Sequence, residues 1–289
     1  MTTRRATCIR GRSHRRAMAL LIVLPIIVLA CAAMASAVSA TQALRTAGSL
    51  RVESVTADDL LAEAERPILF WLHRHSARTV LGPEVAAPGL TILEEALPGV
   101  EGSDRSLTIV AFDQCGMVAI ADVRAASQER RAWARSALSP DVLRSALRAG
   151  GSPDSWGLDG LERADGPLFP RHAGDPALGA VLATHGGAGH AARINVATTP
   201  RRVLAAAMHA AGAGDQLDEV LRARGRGVLP TLPVPASESG VPTLAIASDC
   251  WSFRVDVRVG AVRRSRWVTF EEQGGRWTCA QRLNISEGP

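Results

Sequence analysis

The chain contains no lysine and no tyrosine, and aromatic residues make up only 4% of its 289 residues. Without lysine there is no P-loop lysine, no Schiff base to pyridoxal phosphate, no kinase lysine and no Ser-x-x-Lys acylation site. So few aromatics leave little on which the bases of single-stranded nucleic acid can stack. The patterns Gly-x-Ser-x-Gly and His-Glu-x-x-His are also missing, and no serine, histidine and aspartate are placed together by spacing, so an enzyme is not expected. Charged residues amount to 21% and hydrophobic residues to 47%, a balance that excludes wholesale disorder.

Acids are absent at the start. Six arginines (Arg4, Arg5, Arg10, Arg12, Arg15 and Arg16) fall in the first 16 residues, and no acidic residue occurs before Glu53. Those six account for the formal net charge of +5, because the other 27 arginines face 28 acids. The body is therefore no polyanion binder by charge.

What the sequence does have is one long apolar run. Met18–Val38 holds 21 residues without a charge, about the 20 that a helix needs to span a bilayer. Arginines before it and none immediately after set the N-terminus in the cytoplasm and the rest outside, a single pass through the inner membrane. Three readings compete for the segment. A cleaved secretory signal would end at Ala35-Ser36-Ala37 or Val38-Ser39-Ala40. A lipoprotein signal at Cys31 is disfavoured by Leu29, where a small residue is needed. A prepilin-type leader would be cut between Ala17 and Met18, and the apolar helix kept.

The residues that follow favour retention. From Thr41 to Glu65 the only glycine is Gly48, and no proline occurs before Pro67. Leu44, Leu50, Val55, Leu60, Leu61 and Ala64 recur at helical spacing between charged residues. The pattern predicts a helix from the membrane to about residue 66, with Pro67 kinking it or opening a final turn.

Val80–Gly102 reads as a surface connection on its prolines and glycines. Leu107–Phe112 reads as a strand, Asp113–Gly116 as a turn and Met117–Ala121 as a second short run. Helices are expected at 125–138 and 140–148, the latter capped by Ser139, and 150–189 reads as loop. A run at 192–196 leads to a helix capped by Thr199, with Pro200 in its first turn. Gly212-Ala-Gly214 breaks it before a second helix to Arg224, and prolines at 230, 233, 235 and 242 mark a linker. Period-two alternation from Trp251 to Val259, and turns at Gly260 and Gly274-Gly275, predict a three-stranded antiparallel meander.

Taken in order, these parts resemble the minor pseudopilin K family of bacterial type II secretion systems (general secretion pathway protein K). The resemblance rests on the Ala17-Met18 junction, the strand entering Asp113–Gly116, the stretch Ile194–Leu204 and the terminal sheet, Ile194–Leu204 being the most specific. The turn at Asp113 lacks the family's arginine, and Ala197 stands where the family has asparagine. The resemblance implies an α+β fold, with a long transmembrane and amphipathic helix on an antiparallel sheet and an inserted, mostly helical subdomain. The corresponding boundaries are 1–17 leader, 18–38 span, 39–76 outer half of the helix, 77–122 connection and first strands, 123–228 helical subdomain, and 229–289 linker and sheet. It also implies a subunit that initiates or caps the pseudopilus at its tip. Its partners would be other minor pseudopilins, the pseudopilus, the inner-membrane secretion platform and prepilin peptidase, with no nucleic acid. Position five after the cut is Ile22, where pilin-like subunits usually carry glutamate.

Other sites stay secondary. His73 and His75 diverge on a helix, and His185–His190 reads as a mobile glycine-rich loop. Asp154, Asp159, Glu162 and Asp165 offer oxygen ligands to calcium, which the resembled family binds, but no EF-hand spacing maps a site, and no other cofactor is expected. Cys115, Cys250 and Cys279 lie outside the membrane, an odd set allowing one disulfide; Cys250–Cys279 is the candidate pair, against three buried thiols. Ile194–Val196 and the helices around Gly212–Gly214 also resemble a helix-hairpin-helix module of a membrane-tethered DNA receptor, with Arg201, Arg202, Arg222, Arg224 and Arg226 as its basic residues.

Overall fold

Leu107, Ile109 and Ala111 alternate with Thr108, Val110 and Phe112, which puts one apolar face on a strand and asks for a covering layer. The computed structural model describes residues 10–83, 89–97, 104–119, 123, 127–140, 143, 182–183, 193–233 and 242–285. The chain divides into two units between Val55 and Thr56.

The first unit is helical throughout its described residues and belongs to α1 (Arg10–Glu63), which carries Pro25 in its interior. Its side chains from Val23 to Leu50 are all exposed, the apolar ones included. The helix from Val23 onward is long and apolar enough to cross a membrane. Ser39 and Thr41 donate their hydroxyls to the carbonyls of Ala35 and Ala37 four residues back, at 2.9 and 2.8 Å, so neither leaves an unsatisfied polar group on the helix surface.

In the second unit, α1 ends at Glu63 and α2 (Glu65–His75) follows after Ala64. Pro67 sits in the first turn of α2, where its missing N–H interrupts no ladder bond. The helix is thus interrupted at Ala64, three residues before Pro67. Five strands form one antiparallel sheet: β1 (Gly89–Leu97), β2 (Arg105–Asp113), β7 (Cys250–Val259), β8 (Val262–Gln273) and β9 (Arg276–Ile285), in the spatial order β1-β2-β7-β8-β9. Ala57, Leu61, Ala64, Ile68 and Leu72 pack on the sheet face made by Ile109, Ala111, Trp251, Phe253, Val255 and Val268. Trp71 meets Trp251 edge-on at 4.9 Å between ring centroids and Phe253 at 5.9 Å. The fold is α+β, a long helix on an antiparallel sheet, as the sequence led us to expect.

The remaining elements are inserted between β2 and β7. They are β3 (Val118–Ala119), α3 (Gln128–Ala137), β4 (Leu182–Ala183), β5 (Arg193–Asn195), α4 (Arg201–Ala210), α5 (Leu217–Gly225) and β6 (Thr243–Ala245). They have a core of their own, with Trp133, Ile194, Leu204, Met208, Val220 and Leu244 buried in it. β6 comes from the stretch read as linker and pairs in parallel with β5, so the chain closes the helical part before it enters the sheet.

Three local readings are corrected. The surface connection at 80–102 contains β1; a bulge between Thr91 and Leu93 breaks its period-two signal, which hid it. The loop at 150–189 contains β4, paired in parallel with β3. Thr199 does not cap α4: its hydroxyl turns back to the Asn195 carbonyl at 2.5 Å, and Pro200 becomes the N-cap residue.

Candidate functional site

Asp113 shares its period with Leu107, Ile109 and Ala111, and so it points inward with them. A carboxylate in that position is costly unless hydrogen bonds replace its water. The structure supplies four. Asn195 Nδ2, Thr198 Oγ1 and Ser248 Oγ donate to Asp113 Oδ2 at 2.8, 2.5 and 2.5 Å, and the Cys115 amide donates to Oδ1 at 2.9 Å. Asn195 also donates to Ser248 Oγ at 2.9 Å and accepts from the Ala197 amide at 3.0 Å. Asp113, Asn195 and Thr198 are wholly buried, and Ser248 nearly so. Burial pushes the Asp113 carboxyl above its usual range, while the bonds from Ser248, Thr198, Asn195 and Cys115 pull the other way.

Beside this centre the Cys115 thiol donates to Asp249 Oδ1 at 3.2 Å, and Arg193 bridges Asp249 Oδ2 at 2.6 Å. Burial raises the Asp249 carboxyl, but the bonds from Cys115 and Arg193 outweigh it and hold the group below its ordinary value. Burial, with Asp113 and Asp249 nearby, pushes the Cys115 thiol far up. A thiol held protonated in this way is a poor nucleophile, and the hydroxyls of Thr198 and Ser248 are committed as donors. The arrangement therefore joins segments and offers no activated group.

The turn after β5 has a second anchor. Arg224, only 2% exposed, donates from Nη1 to the Thr199 carbonyl at 2.5 Å, from Nε to Leu81 at 2.8 Å and from Nη2 to Gly82 at 2.6 Å. The Leu81 amide in turn donates to the Ala197 carbonyl at 3.0 Å. Burial pulls the guanidinium down to about 10. Residues 195–199 are thus held on one side by the end of β2 and on the other by α5 and the segment that follows α2.

Sequence reasoning singled out the stretch around Asn195 and the turn at Asp113, but missed that they meet, and missed Ser248 altogether. The inward parity of Asp113 was the available signal.

The structure disposes of several candidates. Cys115, Cys250 and Cys279 are all free thiols in the structure. Cys250 lies on β7 opposite Glu271 and Cys279 on β9 opposite Phe270, so β8 runs between them. Two strand spacings are about 10 Å, beyond the roughly 7 Å over which Cα atoms can be bridged. Three of the five basic residues of the DNA-receptor reading are engaged elsewhere. Arg224 is buried, Arg202 donates to the Leu138 carbonyl at 2.6 Å, and Arg222 donates to the Asp218 carbonyl at 3.1 Å. In the hairpin itself the amides of Gly212 and Ala213 donate to His209 and Met208, so they offer no cradle for a phosphate.

His73 and His75 are exposed at the end of α2. No group of three His, Cys, Asp or Glu among the described residues is placed to hold a metal ion. The acidic residues at 154–165 and the histidines at 185 and 190 lie outside the described residues. Ala17, Met18 and Ile22 fall within α1.

No protein-family model and no curated protein matches the chain. Among solved structures, a chain of the GspK-GspI-GspJ complex from the type 2 secretion system of enterotoxigenic Escherichia coli is similar, with a TM-score of 0.43 and 13% identity. The match covers 82% of this chain and 98% of that one.

Proposed function

We propose that this chain is a minor pseudopilin of a type II secretion system, anchored in the inner membrane with its second unit as a periplasmic head. One observation carries the reading: a single helix, Arg10–Glu63, contains both the exposed apolar run and the turns at Ala57 and Leu61 that pack on the sheet. A secretory signal is removed and has no reason to be continuous with a helix that completes the head's core. A retained anchor does have one. Within the stretch that resembles the family, Ile194 to Leu204, Thr198 bonds to Asp113, the Thr199 carbonyl accepts from Arg224, and residues 194–200 are buried.

The finer reading is a subunit at the pseudopilus tip that initiates or caps assembly together with other minor pseudopilins. A carboxylate at position five after the cut meets a neighbour's terminal amine in the bilayer, where an unpaired charge costs several kcal/mol. Ile22 has no charge to offer. Such a subunit is disfavoured at every repeating position and fits an end. The role proposed is structural rather than catalytic.

The deciding experiment is mass spectrometry of the mature N-terminus in cells carrying a prepilin peptidase. A start at Met18 is expected. A start near Val38 or Thr41 replaces this reading with that of an ordinary secreted protein.

A further inference from the structure

The helical insertion leaves the sheet at Asp113 and returns to it at Cys250, and a cysteine stands at each stem. Asp113 pairs with Trp251 across β2 and β7. Carried one residue further, that register sets Cys250 opposite Gln114, one residue from Cys115. The turn 114–116 packs against the start of β7. The Cys115 sulfur already reaches across to the residue before Cys250, at 3.2 Å from Asp249 Oδ1. Cys115 is buried and Cys250 partly so, and each thiol is pushed upward first of all by burial; a charge on Cys115 is also felt at Cys250. No strand separates the two, whereas β8 separates Cys250 from Cys279.

We infer that Cys115 and Cys250 are a disulfide pair, closed while the head folds in an oxidising compartment, and that the bond staples the two stems of the helical insertion. The inference rests on the proposed export of the head. The chemistry is thiol–disulfide exchange with a disulfide-bearing oxidant, either a dithiol oxidoreductase or glutathione disulfide. One cysteine thiolate attacks the oxidant's disulfide, forms a mixed disulfide and releases the oxidant's other sulfur as a thiolate. The second cysteine attacks the mixed disulfide at the first cysteine's sulfur and displaces the oxidant's remaining sulfur. Two electrons pass to the oxidant, and the two protons lost by the cysteines end on its pair of thiols. Exchange requires thiolate, and both thiols are held protonated once buried. The bond therefore forms before the insertion closes over the end of β2, and resists reduction afterwards. Its place beside the Asp113 centre means that covalent and hydrogen-bonded fastenings act on the same two stems.

The test uses the full-length chain in detergent, extracted from membranes with remaining thiols alkylated at lysis, then digested without reductant and analysed by mass spectrometry. Protease accessibility of the head in spheroplasts scores export separately. A second sample is reduced, unfolded and refolded with a glutathione redox pair. A peptide linking Cys115 to Cys250 is expected in both samples, and its complete loss in C115S and in C250S. Linkage in the refolded sample alone, with the head inaccessible to protease, upholds the pairing and removes the export reading. An accessible head with Cys115 and Cys250 both alkylated, or with either linked to Cys279, overturns the inference.

Discussion

Thr198 donates its hydroxyl to Asp113 at 2.5 Å while the carbonyl of the next residue, Thr199, accepts from Arg224 at 2.5 Å. Among the described residues, Asp113 and Arg224 are the charged side chains that are buried, and no bond runs directly between them. One turn separates a buried carboxyl group from a buried guanidinium and is pinned by both. Sheet, helical insertion and the segment after α2 are fastened there at a single place.

Arg224 tests this fastening most directly. R224A leaves the carbonyls of Leu81, Gly82 and Thr199 without their donor. Each buried acceptor left unsatisfied costs on the order of 1–3 kcal/mol, so a loss of at least about 3 kcal/mol is expected in urea unfolding. Lysine cannot reproduce the planar fork, and R224K should recover only part of that loss. A loss within about 0.5 kcal/mol in R224A, the range of ordinary surface substitutions, contradicts the role.

Asp113 gives a prediction in pH. Its folded-state pKa is raised, so between the ordinary aspartate value and the raised one the folded chain holds more of this proton than the unfolded chain does. Its contribution to stability is therefore full at acid pH and declines as pH rises through that window. D113N removes this decline, so the mutant's stability relative to wild type should improve as pH rises above the ordinary aspartate value. At every pH D113N should still be destabilised, because its amide nitrogen confronts donors that Oδ2 accepted. A pH-independent difference between the two proteins is the contrary result.

Glu65 behaves in the opposite sense. Arg282 grips it through Nε at 2.5 Å and Nη2 at 2.9 Å, tying α2 to the edge strand β9. The hydrogen bond from Arg282 holds the Glu65 carboxyl below its usual value. Its contribution is present above the ordinary glutamate range and is lost as pH falls through the lowered pKa. The Arg282 side chain is 53% exposed and that of Glu65 21%, so solvent screens the pair, and E65Q should cost no more than about 1 kcal/mol at neutral pH and low salt, and less in strong salt. Thermal melts at two ionic strengths check both points.

The proposed place in the assembly predicts a number of copies. Cross-linking and quantitative mass spectrometry of sheared fibres should find one copy of this chain per pseudopilus, next to other minor pseudopilins. Finding it at regular intervals along the shaft contradicts the argument from Ile22.

The apolar run, the helix behind it and the three terminal strands were legible because each is a local periodicity. Residues 18–38 need only their hydropathy, and residues 251–259 only their alternation, to declare what they are. The overall α+β class follows from those parts in order. Tertiary structure decided the rest. β1 was hidden because its bulge shifts the side-chain parity midway, and only pairing with β2 restores it. Thr199 has the residue type of a helix cap, yet the nearby Asn195 carbonyl captured its hydroxyl. Which cysteines can approach one another could not be read from spacing, since it depends on which strands are neighbours: β7 lies beside β2, with β8 between it and β9. Likewise Asp113, Asn195, Thr198 and Ser248 are scattered over 135 positions and become one centre only when the insertion folds back on the sheet. A sequence determines its elements through interactions a few residues apart; it determines a buried polar centre only through a chain reversal, whose outcome no local pattern contains.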